Sequence, residues 1–116
     1  MATKSGKRYT PDRGDMIWLA LDPRTGQEQS GRRPAVVLSP ASYNRAAGLA
    51  IVVPVTSRIK GYPFEVIIPD GLAISGAALA DHLRSVDWRA RKATRIGALS
   101  ADTLREILDR AGLLLR

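Results

Sequence analysis

The sequence predicts a mainly β domain closed by one C-terminal helix. Three observations carry that prediction. Apolar runs are short and of strand length, polar segments rich in Gly and Pro separate them, and a helical period begins only after residue 100. With 116 residues the chain has the length of a single domain. Five or six short strands followed by one amphipathic helix suit a small barrel or curled sheet with the helix packed on it.

Residues 1–11, with Lys4, Lys7 and Arg8, are polar and basic and read as a flexible tail, with order beginning near Gly14. Residues 16–21 (Met-Ile-Trp-Leu-Ala-Leu) form the first expected strand. Residues 22–34 hold two Gly and two Pro among polar side chains and read as a long loop. Loops longer than about 12 residues inside compact domains are usually functional. A second strand covers 35–38 and stops at Ser39-Pro40, and residues 42–45 suit a turn or a short 3₁₀ piece. A third strand covers 49–55, where Pro54, lacking an N–H, predicts an edge or a bulge. Residues 56–63 form a second polar loop with Arg58, Lys60 and Tyr62, and 64–68 a fourth strand. Apolar residues 76–83 lead through 85–88 to a last strand around 93–97. Ser100 stands where a helix N-cap belongs, with Asp102 beside the positive end of the dipole. Leu104, Ile107, Leu108, Ala111 and Leu115 then trace one helical stripe, and Arg105 and Asp109 share an exposed face.

Composition narrows the function. The chain is 45% hydrophobic and 25% charged, which excludes a disordered or collagen-like polymer. No apolar run approaches the roughly 18 residues that span a bilayer. The first residues lack a signal-peptide pattern, so a cytoplasmic protein is expected. The net charge is +7, and fourteen of the eighteen cations are arginine. Arginine presents a planar fork of donors matched to phosphate and carboxylate, so the expected partner is polyanionic: nucleic acid or an acidic protein segment. Cysteine is absent, which removes disulfides, thiol nucleophiles and thiolate metal sites, and the lone His82 excludes a histidine-rich zinc site within one chain.

Two loops carry the candidate chemistry. The first places Glu28, Arg32 and Arg33 within six residues; the second opens on the hydroxyl of Thr56. Metal-free RNA cleavage needs a base for the 2′-hydroxyl proton, a cation for the phosphorane and a proton for the departing 5′-oxygen. A carboxylate, an arginine and a hydroxyl at one end of a barrel suit that task, and the same charges also suit a solvated ion pair. The segment 84–92 holds four cations and Trp88, and reads either as a phosphate grip or as a charged edge strand over a core tryptophan. His82 beside Asp81 suits a proton shuttle or a hydrogen-bonded structural histidine. Trp18 belongs to the core or a dimer interface, and Tyr62 stacks a nucleotide or closes a turn.

Several ordered motifs resemble one family. Residues 11–18 (PDRGDMIW), 26–40 (GQEQSGRRPAVVLSP), 53–57 (VPVTS), 60–66 (KGYPFEV) and 81–91 (DHLRSVDWRAR) are similar to the MazF/PemK toxin endoribonucleases, from about Tyr9 to the C-terminus. The resemblance implies an SH3-like small barrel of CcdB/MazF type working as a homodimer. It implies sequence-specific, metal-independent and cofactor-free cleavage of single-stranded RNA, leaving a 2′,3′-cyclic phosphate and a 5′-hydroxyl. Its implied partners are the RNA and an antitoxin with an acidic, disordered tail, with DNA reached only through the antitoxin and no membrane. Carried over by position, Arg33, Thr56 and Glu28 are the catalytic candidates. Gln27, Gln29, Arg32, Arg58, Lys60, Tyr62, Asp81, His82, Arg84 and Arg89 are the RNA-binding ones. Leu79 stands where some relatives place an arginine, which leaves more of the charge neutralisation to Arg33. The alternative is a non-catalytic module of the same shape, either a poison of a protein target or a nucleic-acid-binding repressor.

Overall fold

A computed structural model describes residues 9–21 and 31–116. Among them, seven strands and two helices follow in the order β1 (Asp15–Ala20), β2 (Arg32–Val37), α1 (Ala41–Ala47), β3 (Ala50–Thr56), β4 (Glu65–Ile67), β5 (Ala77–Leu79), β6 (Arg84–Val86), β7 (Thr94–Ala98) and α2 (Ala101–Leu113). All pairings are antiparallel, and the strands lie in the order β4-β5-β3-β2-β1-β7, with β6 joined to β3. This is the mainly β fold with a C-terminal helix expected from the sequence.

The central strands are apolar on both faces, so alternation sends neighbouring residues into two cores. Met16, Val36, Val53 and Val55 join Val66, Ala78 and the helix residue Ile107 in one cluster. Ile17, Leu19, Ala35, Val37 and Val52 join Val86 and Trp88 in the other. Ser100 caps α2 by accepting from the Thr103 N–H at 3.3 Å. Thr103, Ile107 and Ala111 form the buried stripe of α2, whereas Leu115 lies beyond the helix and is exposed. On the outer face the ion pair joins Glu106 to Arg110 at 2.8 Å, with Arg105 and Asp109 both exposed.

Four expectations are corrected. Order begins before Gly14: Pro11 is buried, and the Tyr9 hydroxyl donates to Asp15 at 2.7 Å, so residues 9–11 are packed rather than tail-like. Burial, reinforced by the Asp15 carboxylate, pushes the Tyr9 phenol well above its ordinary pKa. Residues 41–47 form an α-helix rather than a turn, because buried Asn44 accepts from Ser39 Oγ at 2.6 Å and donates to the Pro11 carbonyl at 2.7 Å. Arg32, Arg33 and Pro34 belong to β2 rather than to the loop, paired with Ala20, Leu19 and Trp18. Pro54 lies inside β3, neither at a sheet edge nor in a bulge. Leu38 N–H donates to the Ile51 carbonyl, and alternation from that pair turns the Pro54 nitrogen away from β2. On that outer side β6 pairs with Ala50–Val52 and β5 only from Val55, so the missing donor falls in a gap.

Candidate functional site

The open end of the β2–β3 pair carries the site. Ala35 faces Pro54 at the end of the β2–β3 pairing, and by alternation Arg33, two residues before Ala35, and Thr56, two residues after Pro54, keep the face of that pair. Exposed Arg33 lines a shallow cavity with Arg84 and Arg91, over a floor that includes Leu19, Ala35, Val52 and Pro54. Thr56, two residues beyond Pro54, lines a second depression of about 180 Å³ with Arg58, Lys60, Tyr62, Asp81 and His82. β3 thus lends Val52 and Pro54 to the first depression and Thr56 to the second.

Each side is held differently. On the strand side Arg33 rides on β2, and Arg91 donates to the carbonyls of Ala20 and Leu21 at 2.9 and 2.6 Å, pinning the end of β1. On the loop side Thr56 Oγ1 accepts from the Arg58 N–H at 3.0 Å. Gly76 presses on the same spot: a Cβ there would stand 2.1 Å from the Thr56 carbonyl oxygen, so only glycine lets β5 close against the end of β3. Glu65, on β4, is buried and accepts from the backbone N–H groups of Lys60 and Gly61. Lys60 Nζ stands 5.7 Å from the ring centroid of exposed Tyr62.

The predicted residues thus divide. Arg33 and Arg84 share the first depression, and Thr56, Arg58, Lys60, Tyr62, Asp81 and His82 share the second. Arg32 alternates to the opposite face from Arg33 and stacks over Trp18 at 4.5 Å. Arg89 stacks over Trp88 at 4.3 Å and lines neither depression. Trp88 is buried, its Nε1–H donating to the Asn44 carbonyl at 3.0 Å. His82 is no buried structural histidine: its Nε2 lies 3.7 Å from Asp81 Oδ1, beyond hydrogen-bond range, and both side chains are exposed. Gln27, Glu28 and Gln29 lie outside the described residues. Sequence reasoning missed Glu65 and Gly76. Among the described residues, no group of three acidic, histidine or cysteine side chains could hold a metal ion. No described helix is long and apolar enough to cross a membrane.

With these side chains the face can bind a phosphodiester strand electrostatically, neutralise charge with Arg33, offer the Thr56 hydroxyl and stack a base on Tyr62.

Comparison with known proteins points the same way. The family model described as PemK-like, MazF-like toxin of type II toxin-antitoxin system matches residues 12–115. The endoribonuclease toxin MazF of Escherichia coli (strain K12) is 48% identical over 108 residues, covering 93% of this chain and 96% of the relative. A crystal structure of MazE-MazF from Deinococcus radiodurans superposes with a TM-score of 0.83 at 50% identity, covering 92% of this chain and 96% of that one. A crystal structure of MazF from the same organism gives a TM-score of 0.82 at 54% identity, covering 92% of this chain and 97% of that one.

Proposed function

The chain belongs to the PemK-like, MazF-like toxin family of type II toxin–antitoxin systems, and on that premise we propose how it acts as an endoribonuclease. Its substrate is single-stranded RNA, cut at preferred sequences in the cytoplasm without a metal ion. Glu28 takes the 2′-hydroxyl proton, the 2′-oxygen attacks phosphorus, and the P–O5′ bond breaks as the 5′-oxygen gains a proton. The products are a 2′,3′-cyclic phosphate and a 5′-hydroxyl. Arg33 neutralises the charge building on the non-bridging oxygens, and the Thr56 hydroxyl donates to one of them. The observation that supports this reading is that Arg33 and Thr56 each line a cation-bearing depression, one beside Pro54 and the other two residues beyond it on β3.

The chain acts as a homodimer, and two copies at +7 each give +14 to attract RNA. The MazE-MazF complex among the relatives supports a cognate antitoxin, whose acidic segment would lie over the same cations. Incubating a long transcript with the protein in excess EDTA and mapping the new 5′ ends tests the proposal. Discrete cuts with 5′-hydroxyl ends are expected. Salt-sensitive binding without products would turn the reading to a non-catalytic module.

A further inference from the structure

Glu65 is the one carboxylate in the second depression that is buried, 8% exposed. Among the described residues no cation pairs with it. The Arg110 guanidinium contacts the Glu65 backbone carbonyl at 3.3 Å instead, and Lys60 directs its ammonium toward the Tyr62 ring. A buried carboxylate needs charge-directed donors, and here they come from the loop: Lys60 N–H at 3.1 Å to Oε1 and 3.2 Å to Oε2, and Gly61 N–H at 2.8 Å to Oε1. Gly61 has φ +81, so two successive N–H groups converge as in an anion-binding nest. The chain's own side chain fills that nest.

We infer that Glu65 is a positioning residue, whose buried carboxylate holds the backbone of Lys60 and Gly61 and thereby sets the Lys60–Tyr62 pair at the rim of the depression. Thr56 secures the start of the same loop through Arg58, and Glu65 secures its far half. The role deepens the RNA-cleaving reading and rests on it only for its kinetic consequence. Loop order governs how well RNA is held, while Arg33 stands on β2 and does not depend on Glu65.

The test compares Glu65→Gln, which keeps a carbonyl oxygen at the same reach, with Glu65→Asp, which keeps the charge but is one methylene short. Amide hydrogen exchange is read without RNA. In Glu65→Asp the Lys60 and Gly61 amides should exchange roughly tenfold or more faster, as expected for losing bonds to a charged acceptor, while the Val36 and Val53 amides stay unchanged. Glu65→Gln should keep most of the protection. On an oligonucleotide substrate, Glu65→Asp should raise KM about tenfold with kcat within about threefold, and Glu65→Gln should restore KM. Unchanged exchange at Lys60 and Gly61 overturns the assignment. So does uniform acceleration that includes Val53, which would make Glu65 ordinary core, and so does a fall in kcat at constant KM. A wild-type chain that cuts no RNA defeats the endoribonuclease reading alone, because the exchange measurement still decides the clamp.

Discussion

The depression around Arg33 and the one around Thr56 are built by opposite means. Arg33 stands on a strand hydrogen-bonded to β1, above a floor drawn from one of the two cores. Moving it requires opening the ladder, which is close to unfolding the domain. The loop after Thr56 is held by one hydroxyl and one carboxylate gripping three backbone N–H groups. Such a segment can open on its own. The group assigned to neutralise charge is thus tied to global stability, while the groups proposed to touch bases sit on a surface able to yield.

The largest test breaks the strand side from beneath. Trp88 is buried in the cluster under Arg33 and donates to Asn44. Trp88→Ala should cost about 3–5 kcal/mol, the usual range for emptying an aromatic core site, read by chemical denaturation. A loss under 1 kcal/mol would mean that the floor carries little of the fold. Arg33→Ala comes next. It should slow cleavage by about 10²–10³, the scale of removing one preorganised charge-stabilising donor. The melting temperature should stay put, because Arg33 is exposed. Activity near wild type would move the chemistry off the strand.

How legible these two sides are in the sequence also differs. Strand cores announce themselves by apolar runs such as 50–55, and Ser100 announces the helix through its capping hydroxyl. The start of β2 did not, because Arg32-Arg33-Pro34 has loop composition. Pro34 is tolerated there since β2 pairs with β3 only from Ala35 onward, leaving its nitrogen side open. Helix α1 lacks a capping side chain at Pro40 and depends on Asn44 reaching Pro11, a contact between residues 33 apart. Arg33, Thr56 and the 58–62 cluster were readable by residue type and motif. Glu65 was not: a glutamate in an alternating strand reads as solvent-facing, and only the returning loop reveals what it binds. Arg32 and Arg89 were read among the RNA-binding residues, and neither charge nor motif showed that their guanidiniums stack on the faces of Trp18 and Trp88.

A smaller effect sharpens the loop side. Thr56→Val keeps the shape and removes the hydroxyl that accepts from Arg58. Losing the hydrogen bond that the hydroxyl is proposed to donate to a charged phosphate oxygen should cost about 1.5–3 kcal/mol in kcat/KM. Thr56→Ser should recover most of it. Equal activity of the Val and Ser variants would confine Thr56 to backbone support.

The smallest effect separates cations that meet phosphate from those already committed. For single-stranded RNA, each phosphate neutralised contributes about 0.7 to the slope of log affinity against log salt. Arg84→Ala on the strand side and Arg58→Ala on the loop side should each flatten that slope by about this amount. Both side chains are exposed and line the depressions. Arg91→Ala should leave the slope unchanged although Arg91 borders the same cavity as Arg33. Its guanidinium is spent on the carbonyls of Ala20 and Leu21, so its loss should appear as a lower melting temperature instead. A flattened slope for Arg91→Ala with unaltered stability would place that guanidinium on RNA and extend the phosphate track along the strand side toward the end of β1.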